Sequence, residues 1–176
     1  MSLVLDTTHS GIEFSVRHMG LATVRGHFTK FDVKATADAA GIPTSIEVDI
    51  DAASITTGVE GRDNHLRGPD FFDVANYPTI AFRSTAIERK GDDLEVHGDL
   101  TIRGTTKPAV FHTEATGFVK DPWGNQRTAA EGSGKINRAQ FGLTWNQALE
   151  TGGLLVSEDV KFSFSVQLVE KAQVAA

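Results

Sequence analysis

Six histidines and 23 carboxylates are the side chains of this sequence best suited to metal or proton chemistry. His97 and His112 flank Gly104, with Glu95 and Glu114 spaced around them. If Gly104-Thr105 forms a two-residue hairpin turn, His97 faces His112 and Glu95 faces Glu114 on one sheet face, a set able to hold zinc. All four also alternate with apolar residues, as on a solvated outer face, and no metal site is assigned. His18 continues the phase of Ile12, Phe14 and Val16, so it points to the same interior, where an imidazole needs a hydrogen-bond partner or a ligand. Nucleophilic chemistry finds little support. There is no cysteine, and Ser133 lies between glycines without the G-x-S-x-G elbow. Neither H-E-x-x-H, a P-loop nor G-x-G-x-x-G occurs. No catalytic residue is assigned, and the chain is expected not to be an enzyme.

The elements that must position these residues are strands. Apolar and polar positions take strict turns through Ile12, Phe14 and Val16; Ile46, Val48 and Ile50; Leu94, Val96, Leu100 and Ile102; and Val160, Phe162, Phe164, Val166 and Leu168. Weaker runs at 22–35, 79–89, 108–119 and 127–138 bring the total to eight long strands. The 17 glycines are read as turn punctuation between them. Between Phe28 and Phe31 the phase changes, which predicts a β-bulge. Strands this long must close on themselves or stack; closure removes exposed edges, and eight strands leave room for packed side chains or one small ligand. The expected fold is all-β, an eight-stranded antiparallel barrel with a short helical lid; a sandwich is the alternative. The lid is read from Thr57-x-x-Glu60, the spacing of a capping box, and from Gly68-Pro69 as a helix stop.

Length and charge set the remaining bounds. The 176 residues make one domain, expected over 1–171, with a flexible tail at 172–176. Lys and Arg number 17 against the 23 acids, a net charge of −6 that makes nucleic acid an unsuitable partner. No stretch approaches the roughly 18 apolar residues of a membrane span, and the first ten residues lack the basic start and apolar core of a signal peptide. The expected location is cytoplasmic, or periplasmic if the chain is a processed mature form.

Several motifs carry a resemblance that composition does not. Asp6-Thr-Thr-His-Ser-Gly-Ile-Glu-Phe-Ser-Val-Arg-His-Met-Gly20, Arg62-Asp-Asn-His-Leu-Arg67, Asp70-Phe-Phe-Asp73 and Asn76-Tyr-Pro78 occur in order. They are followed by Gly98-Asp-Leu-Thr-Ile-Arg-Gly104, Ile136-Asn-Arg138, Phe141-Gly-Leu-Thr-Trp145 and Gly152-Gly-Leu-Leu-Val156. Together they resemble the YceI-like polyisoprenoid-binding family over residues 3–170. The resemblance implies a lipocalin-like barrel that holds an isoprenoid or similar long-chain amphiphile noncovalently, without cofactor, commonly as a homodimer. Arg62, Asp63 and His65 match the Arg-Asp-x-His motif and are assigned to the lid or to a ligand headgroup.

The expected function is binding, storage or transport of a polyprenyl chain, a polyprenyl phosphate derivative or an isoprenoid quinone. A barrel enzyme or metal protein acting on a lipid-like substrate is the alternative. The inward phase nominates the lining: Phe14, Val16, His18, Val24 and Phe28 from the first strands; Val48, Ile50, Ile80 and Phe82 from the next; Leu94, Val96, Leu100 and Phe111; then Phe141, Trp145, Phe162, Phe164 and Val166. Phenylalanine dominates because it covers apolar space without needing a hydrogen-bond partner.

Overall fold

The structure, a computed structural model, describes residues 1–171, so the expected tail at 172–176 lies outside the described residues. Twelve strands form one sheet. They are β1 (Ser2–Leu5), β2 (Gly11–His18), β3 (Ala22–Phe28), β4 (Phe31–Ala37), β5 (Pro43–Asp51) and β6 (Ile55–Thr56). The second half holds β7 (Thr79–Lys90), β8 (Asp93–Ile102), β9 (Thr105–Ala115), β10 (Val119–Lys120), β11 (Gln126–Asn137) and β12 (Asp159–Glu170).

Three pairs of these segments are single strands interrupted by a short irregularity. β1 and β2 run along the same edge of β12; β4 pairs with β1 and β3 with β2, and β5 and β6 pair with β4 and β3 in turn. The break between β3 and β4 falls at Thr29-Lys30, where the sequence changes phase. With β7, β8, β9, β11 and β12 the chain makes eight antiparallel staves. Pairing of β11 with both β9 and β12 closes the ring. Closure, rather than a sandwich, leaves no long stave with a free edge.

Alternation does the sorting. In β8, Leu94, Val96, Gly98, Leu100 and Ile102 are buried while Asp93 and Asp99 are exposed. β12 carries Phe162, Phe164, Val166 and Leu168 inward and exposed Lys161, Ser163 and Ser165 outward.

The β8–β9 hairpin corrects the expected register. The turn residues are Arg103 (φ 48°) and Gly104 (φ 72°), the twin left-handed conformation of a tight hairpin turn. Thr105 is already in the strand, which shifts the pairing by two residues: Glu95 faces His112, and His97 faces Val110. Glu114 lies opposite Glu131 on β11.

One end of the barrel is closed by small and aliphatic side chains, including Leu3, Val33, Ala35, Ala37, Ala130 and Leu168. There the 38–42 and 116–118 loops join through Phe118 N–H donating to the Ala40 carbonyl, 3.1 Å. The opposite end carries the only α-helix among the described residues, α1 (Glu60–Arg67), together with the 138–158 segment. No helix among the described residues is long and apolar enough to cross a membrane.

Candidate ligand-binding lumen

The inward faces of the staves enclose a cavity of about 390 Å³, within the range of small-molecule sites. Its wall is apolar along most of its length; of the polar residues on it, Thr57, Arg62, His65, His18 and Arg138 lie toward the α1 end, whereas Glu13 and Thr113 lie along the staves. Phe14, Val16, Val24, Phe111, Phe162 and Phe164 point inward but remain only half-buried, because they face the lumen. Ring contacts organise the waist. Phe111 sits 4.7 Å from Phe82 and 4.8 Å from Phe162 between centroids, and Phe14 sits 5.7 Å from Phe28, distances typical of offset and edge-on aromatic pairs.

The polar end is built on backbone carbonyls. Arg138 is only 4% exposed, yet has no carboxylate within ion-pair distance among the described residues. It donates instead to four carbonyls: Ser157 (2.9 Å), Leu143 (2.7 Å), Trp145 (2.9 Å) and Val156 (3.3 Å). Burial lowers its pKa, and the Glu158 charge pulls the other way. These bonds pin the 143–157 segment across the barrel end. They also let a charge survive burial, since carbonyl dipoles replace lost water.

Arg62 is tied to Thr57, donating from Nε to the hydroxyl (2.7 Å) and from Nη2 to the carbonyl (3.0 Å). Thr57 in turn donates its amide (2.8 Å) and its hydroxyl to the carboxylate of Asp63. Burial opposes ionisation of Asp63, but these bonds, the Thr56 hydroxyl and the Arg67 charge outweigh it and hold the carboxyl below its ordinary range. His65 shares a hydrogen bond with Asp70 (2.9 Å) and packs edge-on against Phe71 and Trp145, at 5.1 and 4.8 Å. Two guanidinium groups without a carboxylate partner thus lie on the wall at one end of an oily cavity. Such an arrangement can bury a hydrocarbon chain and meet a polar or anionic head.

The YceI-like domain family matches residues 3–168. The chain belongs to the YceI-like family. A UPF0312 protein of Staphylococcus aureus (strain N315) is 38% identical over 168 residues, 94% of this chain and 96% of that protein. Among solved structures, a YceI protein of Campylobacter jejuni is 28% identical with a TM-score of 0.77, covering 89% of this chain and 90% of that one. A polyisoprenoid-binding domain from Saccharophagus degradans shares the fold with a TM-score of 0.69 at 16% identity, covering 96% and 98%.

In this YceI-like barrel every residue nominated for the lining reaches the wall except Leu94, which packs in the surrounding core. Arg62 and His65 also reach it, whereas Asp63 does not. Asp63 is buried beneath the lid as the acceptor for Thr57, and this overturns the expected capping box: Val59 is the N-cap and makes no side-chain cap bond. Arg17 donates to Thr23 Oγ1 and the Gly20 carbonyl.

Outside the barrel the expected histidine pair is replaced by Glu88, Glu95 and His97, whose ligand atoms lie within 4.8 Å of one another. His97 Nε2 is 2.8 Å from Glu95 Oε1 but out of line for a hydrogen bond, and it has no other partner. Lys90 lies 3.1 Å from Glu88, so an ammonium already serves these carboxylates.

Sequence reading missed several wall residues. Ile12 and Ile46 share the phase of Phe14 and Val48 and were findable by the same rule. Leu155 and Val156 lie in an irregular segment with no periodic signal. Arg138 was visible only as part of a motif, since nothing in its neighbours announces a buried cation.

Proposed function

We propose that this chain binds a long-chain isoprenoid-type lipid noncovalently, with the tail in the lumen and the polar head at the Arg62 and His65 end, and stores or carries it rather than transforming it. One observation supports this above the others: a largely apolar cavity of about 390 Å³ whose guanidinium and imidazole wall groups, Arg62, Arg138, His18 and His65, lie toward one end. Each buried methylene contributes about 0.8 kcal/mol, so affinity grows with tail length while the head selects through Arg62, His65 and Arg138. The polyisoprenoid-binding description of the Saccharophagus degradans domain agrees with this reading.

Native mass spectrometry of delipidated protein incubated in turn with a polyprenyl alcohol, a polyprenyl phosphate and an isoprenoid quinone tests the reading. A stoichiometric complex with at least one of them is expected. Phe82→Asp and Phe164→Asp should each abolish it by placing a charge against the apolar tail. Folded wild-type protein that retains none of the three, or folded Asp variants that retain them fully, would sink the proposal.

A further inference from the structure

Glycine weakens a strand interior, having no side chain to pack and the most backbone freedom to lose. Four glycines nevertheless lie inside staves of this barrel: Gly26 on β3, Gly98 on β8, and Gly132 and Gly134 on β11. They are not turn residues, which corrects the reading of the glycines as punctuation. Each has a phenylalanine ring folded over it. Phe14 is the cross-strand partner of Gly26, Phe164 of Gly132 and Phe162 of Gly134, while Phe82 reaches Gly98 diagonally. A β-carbon at Gly134 would fall 2.5 Å from Cζ of Phe162 and 3.2 Å from Cδ1 of Phe111. Rings lie flat against the wall because nothing occupies the position beneath them.

We propose that these glycines set the bore of the lumen: by letting four phenylalanine rings recline into the wall they hold the tunnel wide enough for a methyl-branched chain rather than only a straight one. This rests on the lipid-carrier reading and adds a specificity device to it. A β-carbon at any of the four must move a ring, and a ring leaving the wall can go only toward the lumen. Gly134 is the most informative position. At Gly26, Gly98 and Gly132 the added atom also meets a backbone carbonyl (Thr56, Arg83 and His112), so the strand itself would shift. At Gly134 the close atoms all belong to the side chains of Phe162 and Phe111, so Gly134→Ala narrows the bore with the sheet in place.

The experiment is uptake by the delipidated full chain, read by native mass spectrometry, of geranylgeraniol against a straight-chain alcohol of the same backbone length. Wild-type protein should retain both. Gly134→Ala should shift the ratio against geranylgeraniol by about tenfold, the scale of a modest overpacking penalty, and Gly134→Ala/Phe162→Leu should restore it. Phe162→Leu alone shifts the ratio toward the branched chain without an added β-carbon, so the idea stays testable if Gly134→Ala folds poorly. Gly11→Ala, a strand glycine with nothing within 4 Å of the added atom, should leave the ratio unchanged. An unchanged ratio in both Gly134→Ala and Phe162→Leu overturns the gauge while leaving the carrier reading intact. Wild-type protein that retains neither alcohol overturns the gauge, and it overturns the carrier reading as well only if the polyprenyl phosphate and the quinone are also not retained.

Discussion

Two arginines, Arg138 buried and Arg127 half-buried, hold opposite ends of the barrel by different means. At the α1 end Arg138 donates only to backbone carbonyls. At the other end Arg127 donates to two carboxylates, from Nε to Asp121 and from Nη1 to Asp6, each at 2.7 Å. Carboxylates cancel a guanidinium's charge, whereas carbonyls solvate it and leave the charge in place. The Arg127 charge is therefore neutralised by its partners, whereas Arg138 keeps its charge at the ligand end of a protein whose overall charge is −6.

The sharpest way to break this contrast is Arg138→Met. It removes the donors for four carbonyls and releases the 143–157 segment, so a stability loss on the order of 3 kcal/mol is expected from chemical denaturation, given that bonds to charged groups contribute roughly 1.5–3 kcal/mol each before relaxation. Asp63→Ala should cost less, about 2 kcal/mol. It frees Thr57 and with it Arg62, so loosening should concentrate in residues 57–67, measurable by hydrogen exchange.

The far end should answer to acid instead. Hydrogen bonds from Thr8, His9 and Arg127 hold the Asp6 carboxyl well below its ordinary range. For Asp121 the Asn125 side chain does most, against the opposing effect of burial, with Arg127 and the Asn125 and Trp123 amides adding to it. Carboxyls lowered on folding contribute stability that is full above the ordinary carboxylate pKa of about 3.9 and is lost as pH falls through the lower folded values. The stability difference between wild type and Arg127→Gln should therefore be flat above about pH 5 and shrink progressively below about pH 4. A difference that grows with acid would contradict this account.

The smallest effect is spectroscopic and separates the ends directly. Of the two tryptophans, Trp145 lies on the lumen wall beside His65, and Trp123 is 82% exposed in the turn at the closed end. Lipid uptake should change the emission of Trp123→Phe protein and leave that of Trp145→Phe protein unaltered.

The eight staves were legible because period-two alternation is imposed by burial on one face only, and the barrel offers that condition along nearly every strand. Even the β3–β4 break was visible, since an interrupted strand must change phase between Phe28 and Phe31. What the pattern did not convey were features decided by a single backbone conformation or a distant partner. The β8–β9 register turned on Arg103 adopting a positive φ, which a bulky residue seldom does, so the turn was placed one residue late and the histidine pair mispaired. Thr57 and Glu60 have the spacing of a capping box, but the buried Asp63 competes for the Thr57 hydroxyl and wins. The glycines under the rings looked like turn residues because a sequence does not show what lies across the ladder from them. The inward phase located the lumen wall along the staves, and in the irregular 138–158 segment Phe141 and Trp145 were nominated and reach it, while Leu143, Leu155 and Val156 were missed because no period exists to read there.

The two-sided position of β12 has a consequence for biosynthesis. β12 bridges β11 to the β1–β2 stave along both of its edges, and it is the last strand of the described chain to leave the ribosome. Until it emerges, β2 and β11 each expose an unsatisfied edge, separated by more than a hundred residues of sequence. The nascent chain therefore spends most of its synthesis as an open, adhesive sheet and becomes a sealed vessel in one late step. Glu13 and Arg17 on β2 and Glu131 and Lys135 on β11 place charges on those waiting edges, of the kind that discourages edge-to-edge association.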